Sequence, residues 1–339
     1  MRALMYIIRR LIMFVPTLIG ITLIVFALVA MLPSNRRAML YIRDPRGPPV
    51  SFSEIQDIIE KMGLDQPTYV QFAFWIRELL RGNLGWSETA YEPVLQAILA
   101  RLPATLELVL YSTPFVLLGI YFGVQASKNQ RKMLKQLSRA VSIIGRAFPS
   151  FWLGMLLLVV FSVVLGWTSG RYDDWVKPMI VIGPSWRWYT GMLTIDALLN
   201  GQLWIFIDAL KHLVLPVTVL TITNLAILLR ALRNRPVLTK TNNPDRKRFS
   251  GETLLTMLML LGLLTTSTLP TIILTEAVFK FPGVGYFISQ AALRLDITPV
   301  ISFLLLSSFT LATANLIADI TSALSTSSED TFLLKHNRV

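Results

Sequence analysis

Apolar residues fall into six long blocks separated by polar, charged segments: residues 11–32, 102–126, 147–167, 213–229, 253–275 and 297–318. At about 1.5 Å per residue, a helix of about 20 apolar residues crosses the ~30 Å hydrocarbon core of a bilayer. The pattern therefore predicts six transmembrane helices. The block 213–229 is the shortest and has room to extend at either end. The block 253–275 holds 23 residues without a charge, yet Gly262, Thr265, Thr266, Ser267, Thr268 and Pro270 interrupt its leucines. Small and hydroxylated residues let helices approach closely or line a polar path, which a lipid-facing helix does not need. Both roles are open, and either one places this helix inside a bundle.

The polar segments have structure of their own. In residues 33–101, Ser51-Phe-Ser-Glu54 reads as a capping box that opens a helix running to Met62, and Gly63 ends it. Leu64-Asp-Gln-Pro67 starts a second helix over 69–81, rich in Phe72, Phe74, Trp75, Ile76 and Leu79. Gly82-Asn-Leu-Gly85 turns the chain, and 92–100 returns it to the membrane. Such helices suit the bilayer surface, which the pattern slightly favours, or a ledge that receives an external partner. Segment 168–212 carries Trp175, Trp186, Trp188, Tyr189 and Trp204, as an interfacial aromatic belt does. Its Asp173, Asp174, Asp196 and Asp208 suit solvated surface better than a substrate or partner contact.

Composition agrees with a membrane protein: 53% hydrophobic, 15% charged, with mean hydropathy +0.57. The net charge of +12 would otherwise suggest an anionic partner. With the N-terminus inside and the spans alternating, segments 1–10, 127–146, 230–252 and 319–339 hold 18 Lys/Arg and 5 Asp/Glu. The longer outside segments hold 14 of each. That is the positive-inside pattern, so both termini face the cytoplasm and no nucleic acid is needed to explain the charge. Loop 127–146, with Lys128, Arg131, Lys132, Lys135, Arg139 and Arg146, suits orientation and contact with lipid headgroups. The absence of cysteine excludes disulfides and thiol chemistry. The first block follows Arg2, Arg9 and Arg10 as a signal peptide would, but its 22 residues lack an obvious cleavage site, so it reads as a retained span.

Chemistry-bearing residues are few. Glu107 lies inside the second block, and an ionisable group there faces the bundle interior or water. It is open to a substrate amine or gate role, or to a bond with a neighbouring helix. Asn224 fits interhelical hydrogen bonding. His212 has only His336 for company, so neither a metal site nor a catalytic pair is expected. No Gly-x-x-x-x-Gly-Lys-Ser/Thr loop, HExxH or Gly-x-Ser-x-Gly occurs, which argues against ATP binding and hydrolysis by this chain. Neither an inverted repeat nor a cluster of midplane charges suggests a secondary transporter.

Several motifs carry a resemblance in order and spacing over nearly the whole chain. They are Gly63-Leu-Asp-Gln-Pro-Thr-Tyr-Val-Gln71, Arg81-Gly-Asn-Leu-Gly85 and Arg101-Leu-Pro-Ala-Thr-Leu-Glu-Leu108, followed by Phe148-Pro-Ser-Phe-Trp-Leu-Gly154, Leu165-Gly-Trp167 and Ser169-Gly-Arg171. Lys211-His-Leu-Val-Leu-Pro216, Glu276-Ala-Val-Phe-Lys-Phe-Pro-Gly-Val-Gly285 and Asn315-Leu-Ile-Ala-Asp319 complete the set. Together they resemble the permease family of ABC importers for dipeptides, oligopeptides and nickel, and more narrowly its B-type permease.

The resemblance implies a type I importer permease in a prokaryotic plasma membrane (the inner membrane of a Gram-negative cell). It implies a first span with a short cytoplasmic start (1–32), an extracytoplasmic helical segment (33–101), a five-helix core (102–325) and a cytoplasmic tail (326–339). Implied partners are a second homologous permease, cytoplasmic ATPase subunits, an extracytoplasmic substrate-binding protein and membrane lipid, with no cofactor and no metal. Candidate pathway or gate residues are Glu107, Asn224, Thr265, Thr266, Thr268, Glu276 and Asn315. Phe281, Pro282, Gly283 and Gly285 form an outer turn. The ATPase-coupling loop would use Arg235, Pro236, Lys240, Arg246, Lys247 and Arg248. That loop departs from the family: it is short, lacks the Glu-Ala-Ala-x-x-x-Gly signature and contains Pro236 and Pro244. A short helix from Pro236 with a reduced ATPase contact, coupling carried by the partner permease, and loss of coupling all stay open, the first two favoured. The alternatives to a peptide importer subunit are an uncoupled relative and a nickel or oligosaccharide importer subunit.

Overall fold

The computed structural model describes residues 2–39, 51–128, 132–167, 169–181, 183, 186–233 and 268–336. It is mostly helical. Among the described residues, four helices have the length and composition to cross a membrane: α1 (Arg2–Ala30), α5 (Val94–Lys128), α10 (Leu203–Arg233) and α13 (Ile297–His336). A fifth apolar element is broken: α11 (Thr268–Phe279) and α12 (Val284–Leu293) meet at 73° across a four-residue turn. Between α5 and α10 lie α6 (Lys132–Ala147), α7 (Ser150–Leu165) and the short α8 (Lys177–Val181) and α9 (Leu193–Leu199). At 16 residues, α7 is shorter than an ordinary span. Gly166 stops it by adopting φ +63, which glycine does without steric cost.

The boundaries differ from the hydropathy blocks at several ends: α1 begins at Arg2, and α13 continues to His336, through most of the 326–339 segment expected as a tail. α5 begins at Val94 and α10 at Leu203, both ahead of their apolar blocks, because amphipathic residues continue the helix beyond the apolar stretch. Segment 276–296, expected as an outside loop, instead ends α11 and forms α12, with Val284, Phe287, Ile288 and Ala291 buried. Lys280, Pro282 and Gly283 look like a loop in a hydropathy window, but they occupy only one tight turn. Of the block 253–275, residues 268–275 are described; Thr265, Thr266 and the whole coupling loop 234–251 lie outside the described residues.

Packing fixes the relative directions of the helices. Arg10 pairs with Asp319 at 3.2 Å at one end of the α1–α13 pair, and Val25 and Val29 meet Ile301 toward the other, so these helices are antiparallel. Leu108 packs with Leu213, Val217 and Leu220, while Val116 packs with Leu225, Leu228 and Leu229, so α5 and α10 run parallel. α11 runs against α10: Thr268 bonds Asn224, and Phe279 packs with Leu215. The outward faces of α1 and α7 remain bare, with Ile12 64% and Val163 80% exposed. Water would penalise such surfaces, whereas lipid chains would not.

The segment after α1 holds α2 (Ser34–Met39), α3 (Phe52–Lys61) and α4 (Thr68–Leu80). The capping box at Ser51 is formed, with Glu54 N–H donating to Ser51 Oγ at 3.2 Å and Ser51 N–H to the Glu54 carboxylate at 2.9 Å. α4 sits on protein: Phe72 and Trp75 meet Phe26 of α1 at centroid distances of 5.2 and 5.6 Å. Gly82 and Gly85 take φ +78 and +87 to make the turn. A hairpin of two-residue strands then follows, β1 (Trp86–Ser87) against β2 (Glu92–Pro93), which no periodicity signalled. Asp296, at the foot of α13, anchors it by accepting from Ser87 Oγ and Thr89 N–H, each at 2.8 Å.

Candidate functional site

Both carboxylates singled out within the apolar blocks and their edges are buried; both oxygens of Glu107 accept hydrogen bonds, whereas of Glu276 only Oε2 does. Glu107 on α5 is 1% exposed. Its Oε2 accepts from Arg171 Nη2 at 2.7 Å and Nε at 3.2 Å. Its Oε1 accepts from the N–H and hydroxyl of Thr194, at 2.7 and 2.6 Å. Arg171 also donates to Gly191 O at 2.8 Å, and its guanidinium lies 5.8 Å from the Trp188 ring centre and 5.9 Å from that of Phe281. A charge withdrawn from solvent is tolerated when a bidentate partner and further donors complete its shell. Glu107 thus clamps the loop that precedes α10 onto α5. With both oxygens occupied from within the chain, this geometry favours the helix-to-neighbour role over capture of a substrate amine.

Glu276 sits at the end of α11, fully buried. Its Oε2 accepts from Tyr286 N–H at 3.0 Å, three residues into α12 from the Gly283 N-cap. Val284 N–H donates to Thr105 Oγ1 of α5 at 2.9 Å. Two of the four N–H groups that a helix start leaves unpaired are met in this way, and the carboxylate lies at the positive end of the helix dipole. The glycines of Phe281-Pro-Gly-Val-Gly285 make room for it. A Cβ on Gly283 would lie 2.3 Å from Glu276 Oε1, and one on Gly285 2.5 Å from the Cα of Ile273. Phe281 is buried beneath the turn, and Pro282 is exposed at its apex. Glu276 and the outer turn are therefore one unit, the joint between the halves of the broken element.

A third group lies between α10 and α11. Asn224, 2% exposed, accepts from Thr268 Oγ1 at 3.3 Å, and Thr271 and Thr275 are buried along the same seam. Asn315 does not join it: the residue is exposed on α13, which packs against α1. Beside the seam, α5 and α10 enclose an open groove of ≈ 490 Å³, lined by Tyr111, Phe115, Val214, Val217, Thr218 and Thr221 among others. The groove is apolar with two threonine hydroxyls, and neither Glu107 nor Glu276 lines it. A surface of this kind can pass a flexible solute without holding it by charge.

Arg171 and Thr194 were not among the residues picked out for Glu107. They stand 64 and 87 positions away, and the only signal was a lone acid in an apolar block with an arginine in a Ser-Gly-Arg motif further on.

The chain matches two families over most of its length. Residues 115–238 match the binding-protein-dependent transport system inner membrane component, and residues 3–109 match the corresponding N-terminal membrane component. It is 33% identical over 332 residues to the di/tripeptide transport system permease protein DppB of Pseudomonas aeruginosa, covering 93% of this chain and 95% of the relative. It is 31% identical over 332 residues to the oligopeptide transport system permease protein AppB of Bacillus subtilis, covering 93% and 96%. The probable D,D-dipeptide transport system permease protein DdpB of Escherichia coli is 31% identical over 320 residues, covering 89% and 90%. Taken with the apolar helices and the intact Glu276 turn, these matches show that the chain belongs to the family of binding-protein-dependent transport system inner membrane components.

Proposed function

We propose that this chain is one of two permease subunits of an ATP-driven importer for peptides in a prokaryotic plasma membrane. The observation that carries the reading is the full-length similarity to permeases whose names specify di/tripeptide, D,D-dipeptide and oligopeptide transport. The site geometry is compatible with it. A permease must let a solute pass without trapping it, and the α5–α10 groove offers apolar walls and hydroxyls rather than fixed charges.

In this reading the chain spans the membrane six times with both termini in the cytoplasm, α7 supplying the third crossing and the 253–275 block the fifth, with the outer turn and α12 following it on the outside. Residues 1–32, 33–101, 102–325 and 326–339 are the first span with its cytoplasmic start, the extracytoplasmic helical segment, the core and the tail. A second, similar permease closes the pathway, and a binding protein delivers substrate from outside. Separate ATPase subunits hydrolyse ATP. The 234–251 loop, with Arg235, Pro236, Lys240, Arg246, Lys247 and Arg248, docks them despite its lack of the family signature. Asn224, Thr265, Thr266 and Thr268 border the path, and Glu276 with the outer turn forms its gate. Glu107 holds that gate's surroundings in place through Arg171. Alternating access requires the two bundles to rock about the pathway.

Affinity purification in mild detergent, with partners identified by mass and ATPase activity measured, tests this. A second permease and ATPases with peptide-stimulated hydrolysis are expected. A second permease without ATPases would overturn coupling and describe an uncoupled relative. Stimulation by nickel or oligosaccharide but not peptides would overturn the substrate class.

A further inference from the structure

The first turns of α10 carry Asp208 and His212, four residues apart and therefore on one face of the helix. Asp173, from the segment that follows α7, folds over them. One ligand atom from each of the three residues lies within 4.8 Å of the others. His212 and Asp208 are 6% exposed, and the Asp173 side chain is 24% exposed, so the cluster is buried with one side toward the surface.

The details suit a cation better than a simple surface ion pair. His212 Nδ1 lies 2.9 Å from the backbone O of Asp208. A bond there sets the tautomer and directs Nε2 outward, as the second hydrogen bond of a metal-ligating histidine does. Nε2 then faces Asp173 Oδ1 at 3.4 Å. Two ligand atoms on one tetrahedral centre with bonds of about 2.0–2.2 Å stand roughly that far apart. The Asp173 N–H donates to Asp208 Oδ2 at 3.0 Å, holding the loop carboxylate over the helix. Lys211 Nζ lies 3.3 Å from Asp173 Oδ2, and His212 Nδ1 lies 3.7 Å from Asp208 Oδ2, so the three residues and the lysine form one charged cluster. On the far side of His212 from Asp208, a void of ≈ 10 Å³, lined also by Trp167, Ser169, Gly170, Lys211, Leu215 and Phe279 but by neither carboxylate, has room for about one water.

We propose that Asp173, Asp208 and His212 form a binding site for a divalent cation of the zinc class, with imidazole and carboxylate donors and a water completing the shell. The sequence hid it because the histidine has no histidine neighbour and one carboxylate comes from a separate segment, 35 residues before Asp208. The ion ties the 169–176 segment to α10. Gly170 N–H also donates to Phe279 O at 2.8 Å, so the same segment reaches the end of α11 next to the Glu276 joint.

The test uses the full chain, purified with its co-purifying subunits in detergent and stripped with chelator. Zn²⁺ alone is titrated by calorimetry, and Co²⁺ serves as a visible-absorption reporter of coordination. About one equivalent per chain should bind, with affinity reduced at least ten-fold in Asp208→Asn and His212→Gln and unchanged in His336→Gln. Asp173→Asn, at the least buried ligand, keeps the question answerable if the His212 variant does not fold. Stoichiometric binding that survives Asp173→Asn and Asp208→Asn, or no binding above that of these variants, would overturn the proposal. Because binding is read without transport, the outcome is independent of the importer reading.

Discussion

The joint at Glu276 makes a quantitative prediction for Gly283→Ala. Gly283 has φ −91, an ordinary conformation for alanine, so the substitution introduces no backbone strain. What it introduces is a methyl group 2.3 Å from Glu276 Oε1 and 2.4 Å from both Cδ and Oε2. Carbon and oxygen need about 3.3 Å or more, so the carboxylate must retreat by about 1 Å. It has little room to do so, since it is fully buried and its Oε2 holds the Tyr286 N–H. Overpacking of this kind costs about 1–3 kcal/mol, and loss of the helix cap adds about 1 kcal/mol. The expected total is roughly 2–4 kcal/mol. It should appear as a fall of several degrees in the thermal midpoint of the detergent-solubilised protein, followed by tryptophan fluorescence at one scan rate. Glu276→Ala alone should also destabilise, but Gly283→Ala should cost far less in that background, a coupling of about 1 kcal/mol or more. An equal cost of Gly283→Ala in both backgrounds, or no cost in the parent, would refute the steric account.

Three further outcomes follow from the same contacts. Gly285→Ala places its Cβ 2.5 Å from the Cα of Ile273; because the obstacle is backbone, Glu276→Ala should not rescue its thermal midpoint, in contrast to Gly283→Ala. Arg171→Met leaves Glu107 buried without its cation and should cost about 3–5 kcal/mol, while Arg171→Met with Glu107→Leu should recover much of it; the fraction of chain remaining monodisperse after heating reports both. Ser51→Ala removes one half of the capping box and should weaken α3 by about 1 kcal/mol, read as faster amide exchange confined to Phe52–Lys61 with uptake unchanged.

Local signals in the sequence translated well. The Ser51–Glu54 box, the stop at Gly63 and the turn at Gly82–Gly85 each depend on residues within a few positions of one another, and each is present. The long apolar helices were legible because bilayer thickness sets their length. Nothing comparable marks which face of a helix turns inward, so the exposure of Asn315, a candidate pathway residue, on α13 was not legible. Contacts between distant segments were also hidden: Glu107 with Arg171, and Asp296 with Ser87 across 209 positions. α12 was missed because hydropathy reads proline, glycine and lysine as loop, whereas a buried carboxylate made a tight joint of them. Ser87 and Glu92 pair in a ladder too short to leave any period.

The placement of α12 has a mechanical consequence. Among the described residues, α1 packs mainly on α13, and α4 on α1, while α5, α6, α7 and α9 gather around α10. α5 and α13 touch only lightly; α12 lies against both, with Val284, Phe287 and Ile288 seated between Val94, Ala97 and Ile98 on one side and Val300 and Phe303 on the other. The molecule is thus two staves joined near one end by a short crosspiece, with the hairpin held by Asp296 as a second tie. Relative tilt of the staves must shear that crosspiece, so its stiffness sets the resistance to any larger motion.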